Sequence, residues 1–211
     1  MSGIIILGAA GLAKEFYFYI KRARPEITEY IFVNDLDDGQ DSIKIGKNIF
    51  HVVKDWEFNH KYPFIVAVGN PKIKKKLVET ALSYGLKPAD TIVDPEAIIL
   101  DDTNSLGKGG IISPGCIVTT NVILGDFVTL NLNTTVGHDT KIGDYCTTNP
   151  GVHVSGNIEI GVCNEFGTGC VIKDGLFISD NKTIGAQAAV VKPLLEPRDE
   201  IFVGVPAKKL R

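Results

Sequence analysis

The stretch that decides the fold is VTTNVILGDFVTLNLNTTVGHDTKIG, residues 118–143, in which an aliphatic residue returns at every sixth position. The same step runs without an insertion from Leu100 to Val190, and fifteen of its sixteen positions are aliphatic or Phe, Thr148 being the exception. A period of six fits neither an α-helix, which repeats every ~3.6 residues, nor a half-buried strand, which repeats about every two. The segment is therefore predicted to form neither an α-helix nor an ordinary half-buried strand. Glycine often follows the aliphatic residue, at Gly107, Gly125, Gly137, Gly143, Gly161, Gly167 and Gly185.

A triangular prism satisfies this period. Each hexad forms one short strand and one corner, and three hexads make one turn of the prism. The aliphatic residue points inward, and the glycine beside it is predicted to supply the positive φ that a tight corner can require. Successive turns stack at roughly 4.8 Å, the spacing of parallel strands. The sequence thus predicts a hexapeptide β-helix.

The cysteines follow the same register. Cys116, Cys146 and Cys170 all precede an inward position by two residues, where a small side chain fits inside the prism. Cys163 is out of register and is expected at a corner. Four cysteines without a CxxC pair make neither a disulfide scaffold nor a zinc motif. We therefore interpret the thiols as packing residues, not as nucleophiles.

Residues 1–91 have a different pattern, which predicts a small βαβ domain. A buried strand at 3–7 leads through the turn Gly8-Ala9-Ala10-Gly11-Leu12-Ala13 into a helix that ends near Arg24. Further strands at 30–33 and 64–68 are followed by Asn34-Asp35 and by Gly69. Because an open α/β sheet binds its ligand beyond the carboxyl ends of its strands, these residues are candidates for a nucleotide site.

The glycine turn limits what that site can hold. It is G-x-x-G-x-A and not the full G-x-G-x-x-G, and the domain has only about 90 residues. These features favour a smaller nucleotide-containing ligand over a dinucleotide, with a purely structural turn as the alternative. Segment 40–62 is weakly patterned. We expect the lysines that follow Pro71 to form a solvated helix face: Lys72, Lys74, Lys75 and Lys76.

Composition excludes several classes of protein. The 211 residues include 22 Lys+Arg and 25 Asp+Glu, so no basic excess indicates nucleic-acid binding. The longest early apolar run, residues 4–7, is too short for a signal-peptide core or a membrane span. We expect a cytoplasmic protein that makes no membrane insertion.

His138 is the candidate general base. It lies two residues after the inward Val136, which places it at an outward-facing corner. A neutral imidazole is the usual base near pH 7, and the adjacent Asp139 could orient it. A zinc site would need three such ligands, whereas the prism offers only His138 and His153, which are not a whole turn apart. No metal is expected.

The 18-residue turn gives His138 a neighbour. Position 156, one turn later, is Gly156, whose amide N–H could stabilise a developing oxyanion. Thr168 and Ala186 also differ by one turn but lie at another corner. A cofactor along that second corner would meet His138 most easily across a subunit boundary. The spacing thus predicts an acyl-transfer site between subunits.

Together these features resemble the NeuD/PglD family of sugar O- and N-acetyltransferases, which have a left-handed β-helix. The resemblance covers nearly the whole chain. It rests on the βαβ opening, the hexapeptide prism, and the segments Gly137-His138-Asp139, Pro150-Gly-Val-His-Val-Ser-Gly-Asn157, Ile184-Gly-Ala and Val203-Gly-Val-Pro-Ala-Lys208. The expected fold is a Rossmann-like nucleotide-sugar-binding domain at 1–91, followed by a β-helix with the acetyl-CoA and catalytic sites at 92–211.

The resemblance implies a homotrimer that uses acetyl-CoA. The acceptor would be a UDP- or dTDP-4-amino-4,6-dideoxy sugar, or in other members a sialic acid hydroxyl. By motif position, His138 would be the base and Asp139 its supporting acid. Many members have histidine at the position of Thr147, and many have Gly-His in place of Gly11-Leu12. The implied substrate contacts are Ala10, Gly11, Leu12, Asn34, Asp35 and Gly69. The implied acetyl-CoA contacts, largely through backbone, are Thr147, Thr168 and Ala186.

Two alternatives stay open at this point. The protein could O-acetylate a sialic-acid-like sugar, in which case tight binding of a nucleotide would not be expected. It could also be a non-catalytic trimeric scaffold that binds a nucleotide sugar. The presence of His138, Asp139 and Gly156 at turn spacing favours an enzyme.

Overall fold

The computed structural model describes residues 2–34, 41–56 and 61–210. The N-terminal part is a five-stranded sheet with strand order β3-β4-β2-β1-β5, in which only β3 is antiparallel to its neighbour. Its strands are β1 Ser2–Leu7, β2 Ile27–Val33, β3 Ser42–Ile45, β4 Asn48–Val53 and β5 Phe64–Val66, and its helices are α1 Gly11–Ala23 and α2 Pro71–Ser83. The predicted βαβ domain is confirmed.

The weakly patterned segment 40–62 contains a β-hairpin that the sequence analysis did not predict. Strands β3 and β4 pair across the tight turn at Gly46, whose φ is 60°. The inward residues Ile43 and Ile45 alternate with exposed neighbours. Four residues are too few for this alternation to stand out, and the pairing of β4 with β2 is a long-range contact.

The C-terminal part is a parallel β-helix with three faces, as predicted. The first face consists of β7 Ile98–Ile99, β10 Ile117–Val118, β13 Thr135–Val136, β16 His153–Val154, β19 Val171–Ile172 and β22 Ala189–Val190. The second face consists of β8 Ser105–Leu106, β11 Ile123–Leu124, β14 Lys141–Ile142, β17 Glu159–Ile160 and β20 Phe177–Ile178. The third face consists of β6 Ile92–Val93, β9 Ile111–Ile112, β12 Thr129–Leu130, β15 Thr147–Thr148, β18 Glu165–Phe166, β21 Lys182–Ile184, β23 Glu200–Val203 and β24 Lys208–Lys209.

The register prediction is correct along most of the β-helix and wrong at its start. From Leu106 onward, paired residues on the first and second faces differ by 18, as in Thr135↔His153. In the first turn, however, Val118 pairs with Ile99, and Leu100 is 61% exposed. One extra residue is accommodated in the turn that follows, so Ile99 takes the inward place assigned to Leu100.

The glycines after the inward residues have a different role from the one predicted. They do not have positive φ. The left-handed conformation lies two residues later, at corners that are mostly not glycine, such as Asp139 (φ 57°) after Gly137, although Gly109 (φ 69°) takes this place after Gly107. A Cβ on Gly107 would lie 2.4 Å from the carbonyl carbon of Gly125 on the next turn. These positions are glycine because adjacent turns approach too closely for a side chain.

The interior of the β-helix is apolar and closely filled. Cys116, Cys146 and Cys170 are fully buried, as predicted, and Cys163 lies at a corner with a φ of 57°. The one departure from the repeat, Thr148, is also buried. Its hydroxyl lies 3.0 Å from the hydroxyl of Thr134, so the polar group is satisfied inside the prism.

Candidate active site

His138 and Asp139 form a hydrogen-bonded pair on the corner between the first and second faces. Nδ1 of His138 lies 2.8 Å from Oδ2 of Asp139, and 65% of the histidine side chain is exposed. With Nδ1 donating to the carboxylate, Nε2 is left as a proton acceptor. The pair is therefore arranged as an oriented base that a substrate can reach.

Asn121 supports the carboxylate from the turn below. Its Nδ2 donates to Oδ1 of Asp139 over 3.1 Å. The hydrogen bond from His138, and then the one from Asn121, hold the pKa of Asp139 below its ordinary value. Sequence reasoning missed Asn121, although subtracting 18 from 139 would have found it.

Gly156 lies directly against the imidazole, as the turn spacing predicted. A Cβ built on Gly156 would lie 2.6 Å from Nε2 of His138. No described residue accepts a hydrogen bond from the Gly156 amide, whereas its carbonyl accepts one from the amide of Gly175. A cavity of about 320 Å³ adjoins the pair and is lined by Asp139, Lys141, Asn157, Ile158, Glu159, Gly175, Leu176 and Phe177.

Thr168 and Ala186 lie at another corner, between the third and first faces. Both residues are exposed. The carbonyl of Thr168 accepts a hydrogen bond from the amide of Gln187, which fixes the two turns against each other. As predicted, this corner is distinct from that of His138 within one chain.

Thr147 has a buried side chain that contacts α2. It is buried on the outer side of the third face, beneath α2. Its hydroxyl accepts a hydrogen bond of 2.7 Å from Nζ of Lys74. The hydroxyl of Thr147 is therefore engaged by Lys74, and the acetyl-CoA contact implied at this residue, largely through backbone, stays a prediction.

Lys74 itself corrects the expectation of a solvated lysine face. Lys72, Lys75 and Lys76 are exposed, but Lys74 is 1% exposed. Burial lowers the pKa of Lys74 to about 7. The helical period places position 74 on the inner side of α2, together with the buried Val78.

The predicted nucleotide residues gather at one edge of the N-terminal sheet. Gly8 (φ 106°) follows β1, Asn34 follows β2, and Gly69 lies just before α2. Helix α1 begins at Gly11 after Ala10, which has no capping side chain. Its first-turn amides are thus not capped by a side chain, as an anion site requires. Asp35, also predicted to contact the nucleotide, lies outside the described residues.

Two details at this edge refine the prediction. Leu12 packs partly into the domain core, so its side chain is less available to a ligand than Ala10 and Gly11, which are exposed. A small apolar cavity of about 70 Å³ lies between the strand ends and α2, a feature that sequence reasoning missed. Its lining includes Gly8, Val33, Asn34, Trp56, Val68, Ile73 and Leu77.

Neither a metal cluster nor a membrane helix is found in the described parts of the chain. No three His, Cys, Asp or Glu side chains there are grouped as metal ligands would be. No helix in the same residues is both long enough and apolar enough to cross a bilayer.

Comparison with known proteins links both domains to acetyltransferases. Residues 3–81 match the family described as the PglD N-terminal domain. Over 113 residues, the chain is 39% identical to GDP-perosamine N-acetyltransferase of Escherichia coli O157:H7. That alignment covers 54% of this chain and 50% of the relative, so it spans about half the length of each protein.

Solved structures match the fold over its whole length. WeeI from Acinetobacter baumannii AYE superposes with a TM-score of 0.87 at 28% identity and covers 100% of both chains. The acetyltransferase domain of PglB from Neisseria gonorrhoeae FA1090, in complex with acetyl coenzyme A, has a TM-score of 0.87 at 25% identity. That match covers 99% of this chain and 98% of the other. The resemblance to NeuD/PglD-type proteins is confirmed.

Proposed function

We propose that this chain, which resembles the NeuD/PglD acetyltransferases in its N-terminal domain and its whole fold, transfers an acetyl group from acetyl-CoA to the amine of a nucleotide-linked amino sugar. The observation that carries the proposal is the His138–Asp139 pair, whose exposed ring lies against Gly156. The named relative acts on GDP-perosamine, and a matching structure contains acetyl coenzyme A.

His138 would act as the general base. Its Nε2 accepts a proton from the sugar amine as the nitrogen forms a bond to the thioester carbonyl carbon. Asp139 stabilises the resulting imidazolium, and the Gly156 amide donates to the carbonyl oxygen while it carries negative charge. When the C–S bond breaks, His138 returns the proton to the departing thiolate. The products are the N-acetylated sugar and CoA.

The nucleotide would bind at the carboxyl edge of the N-terminal sheet. The uncapped start of α1 suits a diphosphate, and Asn34 and Gly69 flank it on neighbouring strands. The sequence resemblance favours UDP or dTDP sugars, whereas the 39% identical relative acts on a GDP sugar. We therefore propose a GDP-linked amino sugar first, with the UDP and dTDP sugars as comparators.

A homotrimer would complete the site. Of the two faces not covered by α2, the first carries no charged outward residue, whereas the second carries Lys141 and Glu159. Charged residues are depleted at the cores of protein interfaces, so the first face is the better subunit contact. Its outward residues are Ile98, Ile117, Thr135, His153, Val171 and Ala189.

Packing three first faces around one axis would join the two candidate corners. The first face is bounded on one side by the His138 corner and on the other by the corner of Thr168 and Ala186. In threefold packing, one edge of each face meets the opposite edge of its neighbour. Acetyl-CoA held along Thr168 and Ala186 of one subunit would then lie beside His138 of the next.

The test is acetyl transfer from acetyl-CoA to GDP-perosamine, with UDP- and dTDP-linked 4-amino sugars and a free sialic acid as further acceptors. We expect an N-acetylated nucleotide sugar from the wild type. His138→Ala should lose most turnover, by ~10²-fold or more, while still binding CoA. Wild-type turnover in His138→Ala would refute the assigned base. An ester product on sialic acid alone would favour the O-acetylation alternative.

A further inference from the structure

Lys74 makes a set of contacts that the proposed reaction does not use. This buried lysine projects from the first turn of α2 into the third face of the β-helix, where its Nζ meets four neutral oxygens. The acceptors are Thr147 Oγ1 at 2.7 Å, Thr129 Oγ1 at 2.9 Å, the Phe127 carbonyl at 3.1 Å and the Cys146 carbonyl at 3.4 Å.

These acceptors lie at the two ends of one turn of the β-helix, on or beside the neighbouring strands β12 and β15. Thr129 and Thr147 pair across strands β12 and β15 and differ by 18 residues, which is one full turn. His138 lies midway along the chain between them. The Nζ group of Lys74 therefore joins the start and the end of the turn that carries the proposed base.

The other end of the link is the nucleotide edge. Asn70, which follows Gly69, caps α2 by accepting hydrogen bonds of 3.1 Å from the amides of Lys72 and Ile73. The backbone amide of Lys74 in turn donates to the carbonyl of Asn70 over 2.9 Å. The loop at Gly69–Asn70 is thus one turn of α2 away from Lys74, whose Nζ binds the β-helix turn that carries His138.

Burying the Nζ group of a lysine is costly unless its hydrogen bonds are made. A methionine could fill the same space without that cost, but it would make none of the four hydrogen bonds to the β-helix. The four-oxygen arrangement instead gives a rigid, directional link between the domains.

We propose that Lys74 is a positioning residue for acetyl transfer, which fixes the Gly69–Asn70 edge of the nucleotide site relative to the turn that carries His138. The proposal rests on the proposed function. A base must stand within hydrogen-bonding distance of the amine, and a misplacement of about 1 Å can reduce turnover about 10²-fold. Lys74 would therefore affect kcat without contacting either substrate.

The experiment compares Lys74→Met, Lys74→Arg, Thr129→Val and the control Lys76→Met, an exposed lysine on the same helix. For each variant, kcat, KM for both substrates, CoA affinity and hydrogen exchange of the Gly69–Asn70 amides are measured well below the unfolding temperature. We expect Lys74→Met to lower kcat by ~10-fold or more, to leave CoA affinity unchanged and to speed exchange in the loop. Lys74→Arg should restore part of the kcat.

Thr129→Val keeps the proposal testable if Lys74→Met fails to fold, because it removes a single acceptor and should lower kcat in the same direction. Wild-type kcat and exchange in Lys74→Met would overturn the proposal. So would a loss that appears only as a lower unfolding temperature and is the same in Lys74→Arg. If the wild type acetylates no nucleotide sugar, the proposed function fails, whereas the exchange measurement still tests the link.

Discussion

Gly137 and Gly156 lie on adjacent turns, yet a methyl group would meet a different obstacle at each. On Gly137 it would lie 2.6 Å from the backbone nitrogen of Gly156, which cannot move without disturbing the turn. On Gly156 its three nearest atoms would all belong to the imidazole of His138, which can swing away. We therefore expect a substitution at Gly137 to affect mainly stability and a substitution at Gly156 to affect mainly catalysis.

Substituting each with alanine tests this distinction. Gly137→Ala should lower stability by about 1–3 kcal/mol, as overpacking does. Gly156→Ala should keep the unfolding temperature nearly unchanged but lower kcat by ~10²-fold, because the base is displaced. Thermal unfolding and steady-state kinetics measure the two effects. Wild-type kcat in Gly156→Ala would contradict the proposed role of the His138–Gly156 contact.

Asn121 is expected to tune the carboxylate of Asp139. Removing its donor in Asn121→Ala should raise the pKa of Asp139 toward the ordinary carboxyl value, as followed by NMR titration of the carboxyl carbon. The stabilisation from the hydrogen bonds to the Asp139 carboxylate is fully present above the ordinary carboxyl pKa and is lost as pH falls through the lowered one. Asn133→Ala, another left-handed corner asparagine, is the control and should leave Asp139 unchanged.

The packing of α2 on the third face predicts an unusual pH dependence of stability. Burial lowers the pKa of Lys74 from 10.5 to about 7. Below pH 7 both folded and unfolded chains hold the proton. Between about pH 7 and 10.5 the unfolded chain holds a proton that the folded protein has released, so stability rises with pH. The ionisable neighbours Cys146, Cys163 and Glu165 act in the opposite direction but more weakly than burial.

Urea unfolding at several pH values tests this. The stability of the wild type relative to Lys74→Met should increase from pH 7 to pH 9, because methionine cannot release a proton. The exposed Lys76→Met should show no such trend. A wild-type advantage that stays constant over this range would contradict the lowered pKa of Lys74.

For the whole molecule, the proposed trimer rests on one face of the β-helix. Val171→Glu would place a charge on the uncharged first face and should yield a monomer with little turnover. Ile123→Glu makes the matched change on the second face and should remain trimeric. Light scattering after size exclusion, together with kinetics, measures both. A fully active Val171→Glu monomer would contradict a site between subunits.

The β-helix, the interior cysteines and the contact between His138 and Gly156 could be predicted from the sequence alone. This is possible because residues 18 apart in the sequence lie next to each other on successive turns. The same 18-residue step from Asp139 leads to Asn121. The strands and the glycine turn of residues 3–34 also follow from short stretches of sequence, so most of the nucleotide edge could be predicted.

Features that depend on one part of the chain packing against another could be seen only in the folded structure. In the sequence Lys74 is one of four similar lysines, and only the packing of α2 on the third face shows that it is buried. The same packing shows that the Thr147 hydroxyl accepts a hydrogen bond from Lys74. Ile99, and not Leu100, faces inward, because the first turn contains one residue more than the 18-residue repeat. The glycines that follow the inward residues proved to allow the close approach of adjacent turns and do not have positive φ. Contact across turns, unlike periodicity, is a property of the folded chain.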